Sequence, residues 1–196
     1  MTWRTLLGCL VLAAGLGCTH SPAPLLFPVH TIAVLPPNNL TGDPLLIGGA
    51  SFYEKYVARS DRFTVADALA AAARGQLARR GLTVVPPVVV DATTGGRTPV
   101  SAQDAGTMAS RGGIDTAVLY IEVRRWEADV PFHPGFIIAS VGICLLDPSG
   151  RVLWTREHPS RPVATPGVVN FGEASEIAAG KLMHEMLAGM GSHPAS

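Results

Sequence analysis

The chain reads as one α/β domain, and three observations carry that reading. An apolar, β-branched run at residues 32–35 is closed by Pro36 and Pro37, and a similar run at 82–90 follows an Ala-rich helical stretch, which gives a β-α-β unit. Residues 116–124 alternate between two faces, and residues 136–146 are joined to 151–157 by the turn sequence DPSG, which gives a strand followed by a hairpin. Finally, Met183, Met186, Leu187 and Met190 recur at helical spacing near the C-terminus.

Taken in order, the first strand is TIAVLPP, a continuous apolar run suited to burial on both faces. NNLTGD at 38–43 is turn chemistry, and residues 44–61 read either as loop or as loop with a short helix. Thr64 with Asp67 three residues later forms a box-like helix start. The helix is expected to reach Arg80, with Leu69, Ala73 and Leu77 on one face and Gly81 ending it. LTVVPPVVV is expected to hold the second strand, again stopped by a proline pair, with a parallel crossover between the two. Ser101 and Asp104 start a short helix that ends at Gly112 and Gly113. In the strand at 116–124, Ala117, Leu119, Ile121 and Val123 share one face, while Val118, Tyr120 and Glu122 share the other. A last helix is expected from Glu173 to Met190, and the tail GSHPAS at 191–196 is expected to be disordered.

Composition narrows the function. With 196 residues, 47% hydrophobic content and a formal charge of zero, one modest domain is expected and nucleic acid is not an expected partner. Lys55 and Lys181 are the only lysines among 15 basic residues, a bias that reads as genome composition before phosphate recognition.

The N-terminus sets the compartment. Residues 1–17 combine Arg4 with an apolar stretch from Leu6 to about Leu16, followed by Cys18 and the proline-spaced segment THSPAP. The stretch falls short of the roughly 20 apolar residues that a membrane-crossing helix needs. It reads instead as a secretion signal. The arrangement resembles a bacterial lipoprotein signal, with Gly15 standing where that pattern prefers Leu. The resemblance implies diacylglyceryl transfer to the Cys18 thiol, so that Cys18 becomes the new N-terminus and anchors the domain to membrane lipid. Expected boundaries are therefore a signal peptide at 1–17, a lipidated tether at 18–30, the α/β domain at 31–190 and the tail. Stable anchoring takes more than one acyl chain, which a diacyl or triacyl cysteine supplies. With Cys9 removed, Cys144 in VGICLL is left without a disulfide partner and reads as a small buried residue.

Motifs for chemistry are weak. GGASFYEKY lacks the Lys-Ser/Thr of a phosphate loop, and GTMASRGG has the wrong glycine spacing for a dinucleotide fold. His184 and Glu185 are followed by Ala188 where a metalloprotease helix needs its second histidine, and His133 and His158 lie beside prolines with no metal-ligand spacing. No serine sits in G-x-S-x-G. No catalytic residue, metal or cofactor is accordingly expected. Two surfaces remain as candidates. Asn38, Asn39, Thr41 and Asp43 follow the first strand at its C-terminal end, where open α/β sheets place ligands. Arg124, Arg125 and Trp126 form either a cation–π partner surface or a set of edge-strand charges.

These pieces together resemble a family of bacterial outer-membrane lipoproteins of unknown function, related to the N-terminal domain of TolB, the curli secretion lipoprotein CsgG and the penicillin-binding-protein activator LpoB. The motifs that carry the resemblance are IAVLPPNNLTGD, RGLTVVP, GGIDTAVLYIEVRRWEAD and CLLDPSGRVLWT, over roughly residues 30–160. Residues 44–62 are longer than in the family. The resemblance implies a three-layer domain with helices packed on a mixed sheet, held at the outer membrane. It implies a non-enzymatic accessory or assembly subunit of a secretion or cell-wall complex. Expected partners are other envelope lipoproteins, including a CsgG-like subunit, and further copies of the chain. The alternative is a periplasmic binding module for a small molecule or cell-wall fragment, with its site around Pro36 to Asp43.

Overall fold

The computed structural model describes residues 29–47 and 63–190. The signal and tether with Cys18, most of the 44–62 segment and the tail lie outside the described residues. Strand β1, Thr31–Val34, ends where Pro36 and Pro37 remove two backbone donors. The chain then rejoins the same neighbour as β2, Asn38–Asn39, so the proline pair interrupts a strand path without ending it.

Helix α1, Val65–Arg79, begins with the expected capping box: the Thr64 hydroxyl accepts from the Asp67 N–H, and the Asp67 carboxylate accepts from the Thr64 N–H. Leu69, Ala73 and Leu77 form its buried face. The second strand stops at its proline pair as expected, β3 being Thr83–Val84, but the valines beyond are not strand: Pro87 opens a helix, α2, Pro87–Thr94. Pro86 and Pro87 have no N–H with which to carry the ladder to β1 further, whereas proline at the first helical position loses nothing because that N–H has no intrahelical partner. Helix α3 is Ala102–Arg111, with Ser101 as its N-cap. Strand β4, Ala117–Ala128, and strand β5, Phe136–Leu146, are followed by β6, Val152–Ala164, and helix α4, Phe171–Leu187. β4 and β6 run several residues past their expected ends because each finds a full-length antiparallel partner in β5.

The sheet order is β3-β1-β4-β5-β6, with β2 also on β4; β3, β1 and β2 pair in parallel, β5 and β6 antiparallel. Both faces carry helices, so the domain is a three-layer α/β fold on a mixed sheet. α1 and α4 cover one face, where Leu69, Leu77, Leu182 and Met183 pack with Ile32, Leu119, Ile121 and Ile143. The Met stripe expected from helical spacing is buried in this layer. α2 and α3 cover the other face, where Val90, Ala105 and Ala109 pack with Ala33, Leu35, Val118 and Tyr120. At Gly106 helix α3 meets the β5–β6 turn so closely that a Cβ would stand 2.7 Å from Gly150 Cα.

Candidate functional site

α2 and α3 cover only part of their face. Beyond Tyr120 on β4 and Cys144 on β5 the same face continues without a helix among the described residues, through Glu122, Arg124, Arg125 and Glu127 to Glu157 and Ser160 of β6. This open half of the sheet is the candidate site.

A β-bulge shapes it. Val123 pairs with Val141 and Arg125 with Ser140, so Arg124 is an extra residue in β4. An extra residue reverses the alternation of side chains beyond it. Arg124 and Arg125 therefore both lie on the open face, and Trp126 joins Val123 on the core face. This corrects the expected surface of Arg124, Arg125 and Trp126: Trp126 is 3% exposed, and its indole N–H donates to Ser175 Oγ on α4 at 3.1 Å. Beyond Val123, where its pairing with β2 ends, β4 is bonded to β5 alone among the described residues, so both arginines stand on a locally unpaired edge.

Arg124 lies across the sheet. Its Nε donates to Glu122 Oε1 at 2.7 Å and another guanidinium N–H reaches Glu157 Oε1 on β6 at 3.0 Å. Gly142 of β5 makes room for this crossing, because a Cβ there would stand 3.1 Å from the guanidinium. Hydrogen bonds from Glu122 and then Glu157 hold the Arg124 charge more firmly than water does and raise its pKa. Arg125 pairs with Glu127 at 2.6 Å and donates to Ser160 Oγ at 3.0 Å. Its guanidinium holds the Glu127 carboxyl below the usual carboxylate range.

The candidate loop connects to this face through one residue. Asn38 is buried, and its Nδ2 donates to the Val100 carbonyl at 3.2 Å and to Tyr120 Oη at 3.1 Å. Tyr120 Oη in turn donates to Glu122 Oε2 at 3.4 Å, and burial pushes the phenol pKa up. Asn38, Tyr120, Glu122, Arg124 and Glu157 thus form one continuous polar chain. Asn39, Thr41 and Asp43 bond mainly to one another: Thr41 N–H and Oγ1 donate to Asn39 Oδ1 at 3.1 and 2.8 Å, and Asn39 Nδ2 donates to the Asp43 carbonyl at 2.6 Å. Tyr120, Glu157, Ser160 and Gly142 escaped the sequence reading as site residues. The polar side of the β4 alternation, Tyr120 and Glu122, was the available signal.

A second polar network ties β6 to α4 on the covered face. His158 is 3% exposed; its Nδ1 lies 3.1 Å from the Ala139 carbonyl and its Nε2 accepts from Arg161 Nε at 2.9 Å. These partners require the neutral ring with its proton on Nδ1. Arg161 also pairs with Glu185. Cys144 is buried, and burial raises its thiol pKa. Among the described residues no cluster of His, Cys, Asp and Glu is arranged to hold a metal ion.

No protein-family model and no curated protein matches the chain. Solved structures do resemble it. The PelC dodecamer from Paraburkholderia phytofirmans aligns with a TM-score of 0.49 at 16% identity, covering 85% of this chain and 92% of PelC. The lipoprotein GNA1162 from Neisseria meningitidis aligns with a TM-score of 0.42 at 22% identity, over 70% of this chain and 82% of its own. The hypothetical protein CT253 from Chlamydia trachomatis gives 0.41 at 16% identity, over 82% and 94%.

Proposed function

We propose that the chain is a lipid-anchored bacterial envelope lipoprotein, held through Cys18 at the outer membrane. It acts without chemistry of its own, as an accessory or assembly subunit that binds protein partners through the open half of its sheet. The observation that carries this reading is the array of Glu122, Arg124, Arg125 and Glu127 on β4 and Glu157 on β6, on a part of the sheet that no helix covers among the described residues. Paired charges on a rigid sheet suit registration against a complementary protein surface, because wrong partners leave them mismatched. The carboxylates are engaged in structural bonds: Asp67 and Asp104 serve helix starts, Asp147 organises the β5–β6 turn, and Glu122 and Glu157 bind Arg124. That supports partner recognition over acid–base work. Envelope lipoproteins and further copies of the chain are the partners proposed.

The test is site-specific photo-crosslinking in intact cells, with a photoreactive residue at Ser160 on the open face or at Glu176 on the outer side of α4. Adducts with envelope proteins are expected from Ser160 and not from Glu176. Intact-mass analysis is expected to show the lipid on Cys18. A product without lipid, or equal adducts from both positions, overturns the reading.

A further inference from the structure

The four helices among the described residues point the same way. α1 ends at Arg79 directly before β3, and α3 ends at Arg111 before β4. Thr93 near the end of α2 lies against Gly112, where a Cβ would come within 2.2 Å of its Cγ2. Arg80 donates to the Met190 carbonyl just beyond α4 at 3.1 Å. Every helix C-terminus therefore gathers at the end of the sheet where β1 starts. The charges follow the helices: Asp67, Asp104 and Glu173 stand in first turns, Arg79 and Arg111 in last turns. Each placement satisfies its own helix dipole. Because the helices are codirectional, these local preferences add up to a separation of charge across a chain whose net charge is zero. At the basic end Arg79, Arg97 and Arg111 are exposed and Arg151 is paired with Asp147, while Asp115 and the exposed last-turn acids Asp91 of α2 and Glu185 of α4, the latter paired with Arg161, oppose them.

The chain enters the domain at that same end. Val29 and His30 line a hollow of about 400 Å³ there with Asp115, Asp147 and Arg151. Residues 18–28 cannot exceed about 40 Å even fully extended. From this placement we infer that the helix-C-terminal end is a membrane-facing surface, docking its arginines on the anionic phosphate headgroups of the bilayer that holds Cys18 and turning the acidic end away. The inference rests on the proposed acylation for its anchor. Each arginine near an anionic leaflet favours the docked pose about fivefold, and the effect fades beyond about 10 Å at moderate salt.

The test uses the acylated protein, its Cys18 adduct verified by intact mass, in vesicles of phosphatidylcholine alone or mixed in equal parts with phosphatidylglycerol. A fluorophore is placed at Ser110→Cys, beside Arg111, or at Phe132→Cys, on the opposite β4–β5 loop and 78% exposed, and a quencher is carried on the lipid headgroup. On anionic vesicles the label at 110 is expected to quench severalfold more than the label at 132. High salt, or the pair Arg79→Glu and Arg111→Glu, is expected to abolish the difference. Equal quenching at both positions overturns the inference. So does a preference indifferent to lipid charge, the outcome if an acidic protein covers this end. If the mass shows no lipid, the full chain is floated with the same vesicles: arginine-dependent flotation keeps the surface while removing the anchor, and no flotation removes both.

Discussion

Arg124 holds the open face together because two local features admit it. The bulge in β4 turns it outward, and Gly142 leaves it a path to Glu157 on the far strand. The same bulge turns Trp126 inward, so one extra residue both makes the site and removes its expected aromatic member. His158 shows the opposite economy, a titratable group held neutral because both ring nitrogens are occupied by a carbonyl and a guanidinium N–H. Burial is the first cause of its lowered pKa, and the Arg161 charge adds to it against the opposing pull of the Ala139 carbonyl and Glu185. A histidine whose folded pKa lies below its unfolded value stabilises the fold above the unfolded pKa and loses that contribution as pH falls. Stability is therefore expected to decline as pH drops through about 6.5, by up to about 1.4 kcal/mol per unit from this residue. Urea unfolding at neutral and mildly acid pH measures it, and His158→Gln is expected to flatten the decline.

Helices and strands here are delimited by small groups of residues with definite jobs. Thr64 and Asp67 satisfy two otherwise unpaired N–H groups at the start of α1. Thr64→Ala is expected to cost about 1 kcal/mol, read as a lower urea midpoint with an unchanged slope. The pair Pro86 and Pro87 ends β3 and starts α2 in one step. Pro159 and Pro162 interrupt the donors of β6, which is the last strand of the sheet, and blunt it against unspecific pairing. With that edge guarded, the open face is left as the surface for specific contact.

For the molecule as a whole, core and recognition surface are energetically separate. The apolar layers under α1 and α4 and under α2 and α3 supply the stability, whereas the Arg124 ion pairs are partly exposed and contribute under about 1 kcal/mol. Arg124→Ala is therefore expected to change urea-unfolding stability by less than about 1 kcal/mol while strongly reducing photo-crosslinking from Ser160. A variant that unfolds markedly more easily, or crosslinks as before, removes the proposed role of the array.

How much of this was legible depends on how far apart the interacting residues lie. The α1 box, the two faces of β4, the hairpin and the Met-lined helix follow from patterns within a few residues, because local hydrogen bonds and side-chain periodicity decide them. The proposed acylation of Cys18 rests on a contiguous pattern too, one that lies outside the described residues. The stop of β3 was written in its proline pair, whereas the helix that Pro87 opens was hidden by the strand propensity of its valines. Only tertiary structure decided that Arg124 meets Glu157, that Asn38 meets Tyr120, and that part of one sheet face carries no helix among the described residues. Those contacts join residues 33 and 82 positions apart, and their register depends on a bulge that no local signal marks. The charge separation along the domain combines both: α1, α3 and α4 carry their own terminal charges, and the topology of the domain aligned them.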